Sequence, residues 1–123
     1  MVKGRFKMAK EVRRGDVVLV SFDPVIGSEE GKTRPAVVIQ NNIGNITSPT
    51  IIVAPITSKI YSKKFPTNAE IDPLNSPLKE KSTILLNQIR TIDKIRISKF
   101  YGHLSPEKME EVDKAIMSSL GLD

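Results

Sequence analysis

Short β-branched runs, each cut off by proline, glycine or asparagine, constrain this chain more than any other feature. Asp16-Val17-Val18-Leu19-Val20-Ser21-Phe22, Ala36-Val37-Val38-Ile39-Gln40, Thr50-Ile51-Ile52-Val53-Ala54-Pro55-Ile56-Thr57 and Ser82-Thr83-Ile84-Leu85-Leu86-Asn87-Gln88 all read as strands. The run 36–40 has no polar alternation, which predicts a buried strand. Pro55 predicts an edge or a bulge near the end of its strand. Residues 65–71 form a weaker strand pattern. Residues 89–97 are ambiguous, and a tight turn or short helix at 90–94 followed by a strand through Tyr101 is expected. Asp23 to Pro35 and Asp72 to Lys81 are punctuated as loops, and Asn41 to Asn45 as a turn.

The chain then changes character. Ser105 is a good N-cap, Pro106 suits the first helical position and Glu107 the first turn. Met109, Val112, Ile116 and Leu120 recur at helical spacing, and Gly121 follows where a left-handed cap belongs. That stripe suits core or dimer packing. Several short strands followed by one long helix predict a mostly β (α+β) fold, a small barrel with a C-terminal helix packed on it. At 123 residues the chain fits a single domain, 1–123, with residues 1–11 as a basic tail.

Composition removes whole classes of chemistry. With no cysteine, disulfides, thiolate catalysis and cysteine-based zinc sites are out. No apolar run approaches the roughly 18 residues of a membrane span, and the basic first segment lacks the apolar stretch of a secretory signal. The expected protein is cytoplasmic. His103 is the one histidine, so a histidine-pair ribonuclease mechanism cannot operate within one subunit, and no Gly-x-Ser-x-Gly elbow accompanies it. A structural histidine near the helix start is the plainer reading. The carboxylates Asp16, Asp23, Glu29, Glu30, Glu70, Asp72 and Asp93 show no metal-ligand spacing, so no metal and no cofactor is expected.

The net charge of +5 favours polyanionic partners. Lys3, Arg5, Lys7, Lys10, Arg13 and Arg14 crowd the start, and Lys59, Lys63 and Lys64 a segment between two strand patterns. The first cluster reads equally as a solvated tail, the second as a loop facing an anion. Arginine and hydroxyl chemistry remains. Arg34 is restricted by Pro35 at the edge of a strand, and Thr57 ends another. A guanidinium offers forked donors to phosphate, so such a pair could stabilise the phosphorane formed when a ribose 2′-hydroxyl attacks its own 3′-phosphate. By residue type alone, an ordinary surface ion pair is the plainer reading of Arg34.

Several motifs in order change that balance. Arg14-Gly15-Asp16-Val17, Asp23-Pro24-Val25-Ile26-Gly27-Ser28-Glu29 with Gly31 and Thr33-Arg34-Pro35-Ala36-Val37-Val38-Ile39-Gln40-Asn41, then Pro55-Ile56-Thr57 and Ile84-Leu85-Leu86-Asn87-Gln88-Ile89-Arg90-Thr91-Ile92-Asp93-Lys94, together with Ser119-Leu120-Gly121-Leu122, resemble the MazF/PemK toxins, and their Gram-positive branch most. The resemblance covers roughly residues 12 to 122. It implies an SH3-like, CcdB-like β-barrel, a homodimer, and cleavage of single-stranded RNA to 2′,3′-cyclic phosphate and 5′-hydroxyl ends. It implies Arg34 and Thr57 as the catalytic pair and Ser28, Glu29, Asn41 and Gln88 along the RNA groove, to which the loop lysine Lys59 is added. It also implies a cognate MazE-like antitoxin whose C-terminal segment occupies that groove. Asn42 and Asn87 stand where relatives commonly carry aspartate and glutamate, and residues 61–81 match loosely, which bears on base preference more than on chemistry. Two other classes compete: a gyrase-inhibiting toxin of the same fold, disfavoured by the lack of tryptophan and of a C-terminal aromatic, and a nucleic-acid-binding module that leaves RNA intact.

Overall fold

Strand β3 (Thr50–Thr57) is paired along both edges, and the rest of the sheet is arranged around it. On one side it meets β2 (Thr33–Val38), with Val37 opposite Ala54. On the other, its first half meets β6 (Arg90–Asp93), Ile51 opposite Ile92, and its last two residues meet β5 (Ser82–Leu85), Thr57 opposite Thr83. β1 (Asp16–Ser21) and β7 (Ile97–His103) continue the sheet beyond β2, and β4 (Asn68–Ile71) beyond β5. Every pairing is antiparallel. The structure, a computed structural model, describes residues 11–23, 27, 29 and 32–123. Among these the sheet stays open, with β4 and β7 at the ends of its order.

Alternation sends successive side chains to opposite faces, and here both faces are buried. Val17, Val37, Ala54, Ile56 and Ile84 pack on one face beneath the helix α2 (Pro106–Leu120), against Val112 and Ala115. Val18, Val20, Ala36, Val38, Ile51 and Val53 fill the other, closed over by Ile92 and Ile97 as the sheet curls. That two-sided burial explains the unbroken β-branched runs and gives the barrel-like form expected. Each fully buried aliphatic side chain contributes about 1.5–3 kcal/mol.

Helix α2 begins and ends as its sequence dictates. Ser105 Oγ accepts from the Lys108 N–H (3.1 Å), Pro106 opens the helix, and Gly121 caps it at φ 72°. Val112 is buried, Met109 and Ile116 half-buried, and Leu120 exposed, so the stripe is a core face that runs out into solvent. Ala115, outside the expected stripe, completes it. Among the described residues no helix is long and apolar enough to cross a membrane.

Several expectations need correction. β2 begins at Thr33, so Thr33, Arg34 and Pro35 belong to the strand and not to the loop. Pro55 is neither at a sheet edge nor exposed: it lies opposite Ala36, where β3 changes partner from β6 to β5 and the ladder is already interrupted. Only the last four residues of the 65–71 pattern are strand. The 82–88 run leaves the sheet at Leu85 and finishes as a 3₁₀ turn, Leu86–Gln88. The segment 90–94, expected as a turn or short helix, is mostly β6, and its 3₁₀ turn comes later, at Lys94–Arg96. The asparagine-rich stretch is a short helix, α1 (Asn42–Thr47), because Asn41 caps it, its Oδ1 accepting from the Gly44 N–H at 2.8 Å.

Asn45 is the buried keystone of α1. Its Nδ2 donates to the Gln40 carbonyl (3.0 Å) and to Asn42 Oδ1 (3.1 Å), and its Oδ1 accepts from Gln40 Nε2 (3.1 Å). Arg14 makes a second tie, from its Nε to the Ile39 carbonyl (2.8 Å) and from Nη2 to Asp113 of α2 (2.7 Å). Truncating Asn45 removes its three side-chain hydrogen bonds to half-buried Gln40 and exposed Asn42, which together cost about 1–3 kcal/mol. Asn45→Ala is therefore expected to lower the urea midpoint by that equivalent, and an unchanged midpoint would refute the keystone role.

Candidate active site

The approach to Arg34 is fixed before the strand begins. The Phe22 N–H donates to the Lys32 carbonyl (2.8 Å), and the Lys32 N–H to Asp23 Oδ1 (2.9 Å), pinching the base of the loop between them. Lys32 turns there at φ 60°, an uncommon conformation for a residue with a side chain. Arg96 Nη1 donates to the carbonyls of Ser21 (3.2 Å) and Asp23 (2.5 Å), and Arg90 Nη1 to that of Phe22 (3.1 Å). The Arg90 guanidinium also lies 5.3 Å from the centre of the Phe22 ring.

From this anchored base the chain enters β2 with Arg34 opposite Val20 of β1. Counting two residues on from the Ala36–Pro55 pair brings β2 and β3 to Arg34 and Thr57. Both line one groove of about 630 Å³ at this end of the sheet. Arg34 is half-buried and Thr57 buried. Thr57 Oγ1 accepts from the Lys59 N–H (3.2 Å), which leaves its hydroxyl proton to point at a ligand. The two catalytic candidates, separated by more than twenty residues of sequence, are thus brought together.

The other walls were not read from sequence. Lys79 and Glu80 come from the loop after β4, and Lys99 and Tyr101 from β7, with the Lys99 ammonium 4.8 Å from the Tyr101 ring centre. The period-two spacing of Lys99 and Tyr101 was the available signal. Arg34, Lys79 and Lys99 against Glu80 make the groove cationic. Its loop wall rests on Gly102, whose φ is +142° and where a β-carbon would come within 2.9 Å of Pro77.

The remaining expected residues scatter. Ser28 lies outside the described residues, as do the basic residues at positions 3 to 10; Glu29 is exposed in the loop. Lys59 is exposed two residues beyond Thr57, its ammonium 4.8 Å from the Tyr61 ring. Asn41 caps α1 beyond the far end of β2, and Gln88 closes the 3₁₀ turn after β5; neither lines the groove. His103 is exposed at the end of β7, in register with Asp16, while Arg34 aligns with Val20 four residues away along β1, roughly 13 Å at strand rise. Burial pushes the Asp16 carboxyl up, against the Arg13 N–H bond (2.8 Å) and the His103 and Arg13 charges. Among the described residues no three histidine, cysteine or acidic side chains converge as a metal site.

An open antiparallel sheet capped by one helix, with an arginine and a threonine meeting in a cationic groove, defines a small β domain suited to a phosphate-bearing ligand. Residues 13–120 match the family of the PemK-like, MazF-like toxin of type II toxin-antitoxin system. The chain is 51% identical over 111 residues to Endoribonuclease EndoA of Bacillus subtilis, covering 90% of this chain and 96% of that protein. MazF from Deinococcus radiodurans has the same fold at a TM-score of 0.76 and 24% identity, covering 89% of this chain and 96% of that one. An endoribonuclease in complex with its cognate antitoxin, from a mycobacterial species, superposes with a TM-score of 0.75 at 20% identity, covering 91% and 97%. The chain belongs to the PemK-like, MazF-like toxin family.

A β-carbon at position 102 must displace Pro77 and hold a backbone angle that side chains resist, which costs about 1–3 kcal/mol. Gly102→Ala is expected to lower the melting temperature and shift the amide resonances of Leu78, Lys79 and Glu80. Unmoved resonances would show that the groove wall does not depend on this close approach.

Proposed function

We propose that this chain is the toxin of a toxin–antitoxin pair, a sequence-specific, metal-independent endoribonuclease that cuts single-stranded mRNA in the cytoplasm as a homodimer. The observation that carries the reading is the meeting of Arg34 and Thr57 in one cationic groove. Membership of the toxin family and the name of the Bacillus subtilis relative support it. The antitoxin complex known for a protein of the same fold supports a MazE-like partner whose acidic segment competes for the groove.

RNA brings its own nucleophile. The ribose 2′-oxygen loses its proton as it bonds to the adjacent phosphorus, the P–O5′ bond breaks, and the departing 5′-oxygen takes up a proton. The products are a 2′,3′-cyclic phosphate and a 5′-hydroxyl. Negative charge builds on the non-bridging oxygens in between, and Arg34 meets it with forked donors while the Thr57 hydroxyl donates one more hydrogen bond. A guanidinium, with five N–H donors and no acceptor, serves this step as stabiliser and proton donor, not as base. Ser28, Glu29, Asn41, Lys59 and Gln88 are assigned to RNA contacts. Asn41 and Gln88, lying outside the groove, would hold nucleotides away from the scissile phosphate. The chain acts as one domain, 1–123, with residues 1–11 as a basic tail.

The test is incubation with a long single-stranded RNA in EDTA, mapping cuts and end groups. Discrete cuts at one short motif with 5′-hydroxyl ends are expected. Intact RNA from folded, antitoxin-free protein, or activity lost in chelator and restored by magnesium, would overturn the assignment. Removing a preorganised donor to an oxyanion lowers turnover about 10²–10³-fold. Arg34→Ala should lose at least that much while its circular dichroism and dimer mass stay those of the wild type; full activity would remove Arg34 from the mechanism.

A further inference from the structure

Between the segment that leaves β3, strand β4 and helix α2 lies a second cleft of about 540 Å³. It meets the Arg34 groove at β5, where Ser82 lines the groove and its neighbour Thr83 the second cleft. The segment leaving β3 joins the two, with Ser58 on the groove and Tyr61 on the second cleft. Thr83 Oγ1 donates to the Lys59 carbonyl (2.8 Å), fastening that segment along the ridge between the clefts.

The charges in the second cleft are unbalanced. Lys63, Lys64, Lys81 and Lys114 are exposed and have no ion-pair partner among the described residues. Of its three carboxylates, one is ion-paired, and that within the cleft itself. Glu111 pairs with Lys108, and Asp72 Oδ1 accepts the N–H groups of Leu74 (2.7 Å) and Asn75 (3.2 Å). Glu70 and Asp72 are left to oppose four ammonium groups. Beside them Tyr61 and Phe65 meet edge to face, centroids 5.7 Å apart, and Phe65 keeps 45% of its surface exposed. Unpaired cations next to an open aromatic face are what a single-stranded polynucleotide engages: ammonium groups for its phosphates and a ring on which a base stacks. An acidic peptide would satisfy the lysines but leave the exposed ring unused.

We propose that this cleft is a docking track for the single-stranded RNA flanking the cut, so that substrate runs from the Arg34 groove over Lys59 and onto Lys63, Lys64 and Lys114. The proposal rests on the ribonuclease reading. Two flanks can then be told apart in energy: nucleotides at the cut are held for chemistry, and those on the track add affinity with little sequence demand.

The experiment compares kcat/KM on a long single-stranded RNA with that on a short one trimmed to the mapped cut site, across a salt series. For K63Q/K64Q/K114Q, kcat/KM on the long RNA should fall about tenfold at low salt. Its logarithmic salt slope should shrink by about 2, at roughly 0.7 for each phosphate of a single strand that is no longer neutralised. The short RNA should be cut as by the wild type. Phe65→Ala should cost about fivefold on the long RNA with the salt slope unchanged, because stacking releases no counterions. Wild-type kinetics for the triple variant on long RNA, or equal losses on both substrates, would overturn the track. So would unchanged RNA kinetics together with abolished binding of a polyglutamate peptide, which would make the cleft a protein-docking surface. A wild-type protein that cuts neither RNA overturns the ribonuclease reading and the track with it.

Discussion

A strand hydrogen-bonded along both edges and buried on both faces has little freedom to move, and β3 is such a strand. Its register against β2, β5 and β6 is set by apolar residues on each face, since a slip of one residue would turn every side chain to the wrong side. Thr57 is the last residue of this strand, and Arg34 stands near the start of its neighbour. The site therefore inherits its precision from the core. Catalysis by charge stabilisation depends on donors already aimed where charge develops, because groups that must reorganise lose much of their effect. Pinching the loop base through Phe22, Asp23 and Lys32, with Arg90 and Arg96 holding its carbonyls, extends that rigidity to the one place where β2 would otherwise fray.

Arginine suits a site whose task is to bind phosphate strongly and its transition state more strongly still. Its charge persists at any physiological pH, and its fork matches two oxygens at once. Lys79 and Lys99 raise the local potential without that geometry, and Glu80 alone opposes them. A field that draws RNA also draws an acidic polypeptide, so on the proposed reading one cationic groove serves both catalysis and its control by an antitoxin. Asp16, whose carboxyl is pushed up by burial, sits at the opposite end of β1 beside His103, where it fixes backbone and takes no part in this field.

What could be read directly from the sequence was what short-range physics determines. The β-branched runs marked β1, β2, β3 and β5, and the Ser105-Pro106 start with the Gly121 stop marked α2. Misreadings fell where a non-local partner decides. Asn41 to Asn45 has turn composition, and becomes helix because Asn45 finds Gln40 and Asn42 to bond. Pro55 would weaken most central strands, and is tolerated because β3 changes partner there. β6 is short and alternates poorly, and is held as strand by its pairing with β3. In the site, Arg34 and Thr57 were legible through the family motif. Composition alone gave no way to know that Lys79, Glu80, Lys99 and Tyr101 join them, because those residues meet only once β7 and the 72–81 loop have folded against Gly102.

The division between rigid and adaptable parts of the molecule follows the same line. The proposed chemistry lies on β2 and β3, whose positions cannot drift without cost to the core. The groove wall at 77–80, and the Tyr61-to-Phe65 stretch of the second cleft, lie in the 61–81 region where the family likeness is loosest. Substituting exposed lysines and aromatics there changes the potential and stacking surface presented to RNA while leaving the buried ladders intact. A scaffold built this way can keep one phosphate chemistry and vary which strand it holds, and how tightly, because the residues proposed to meet flanking RNA are exposed and bear little of the folding energy.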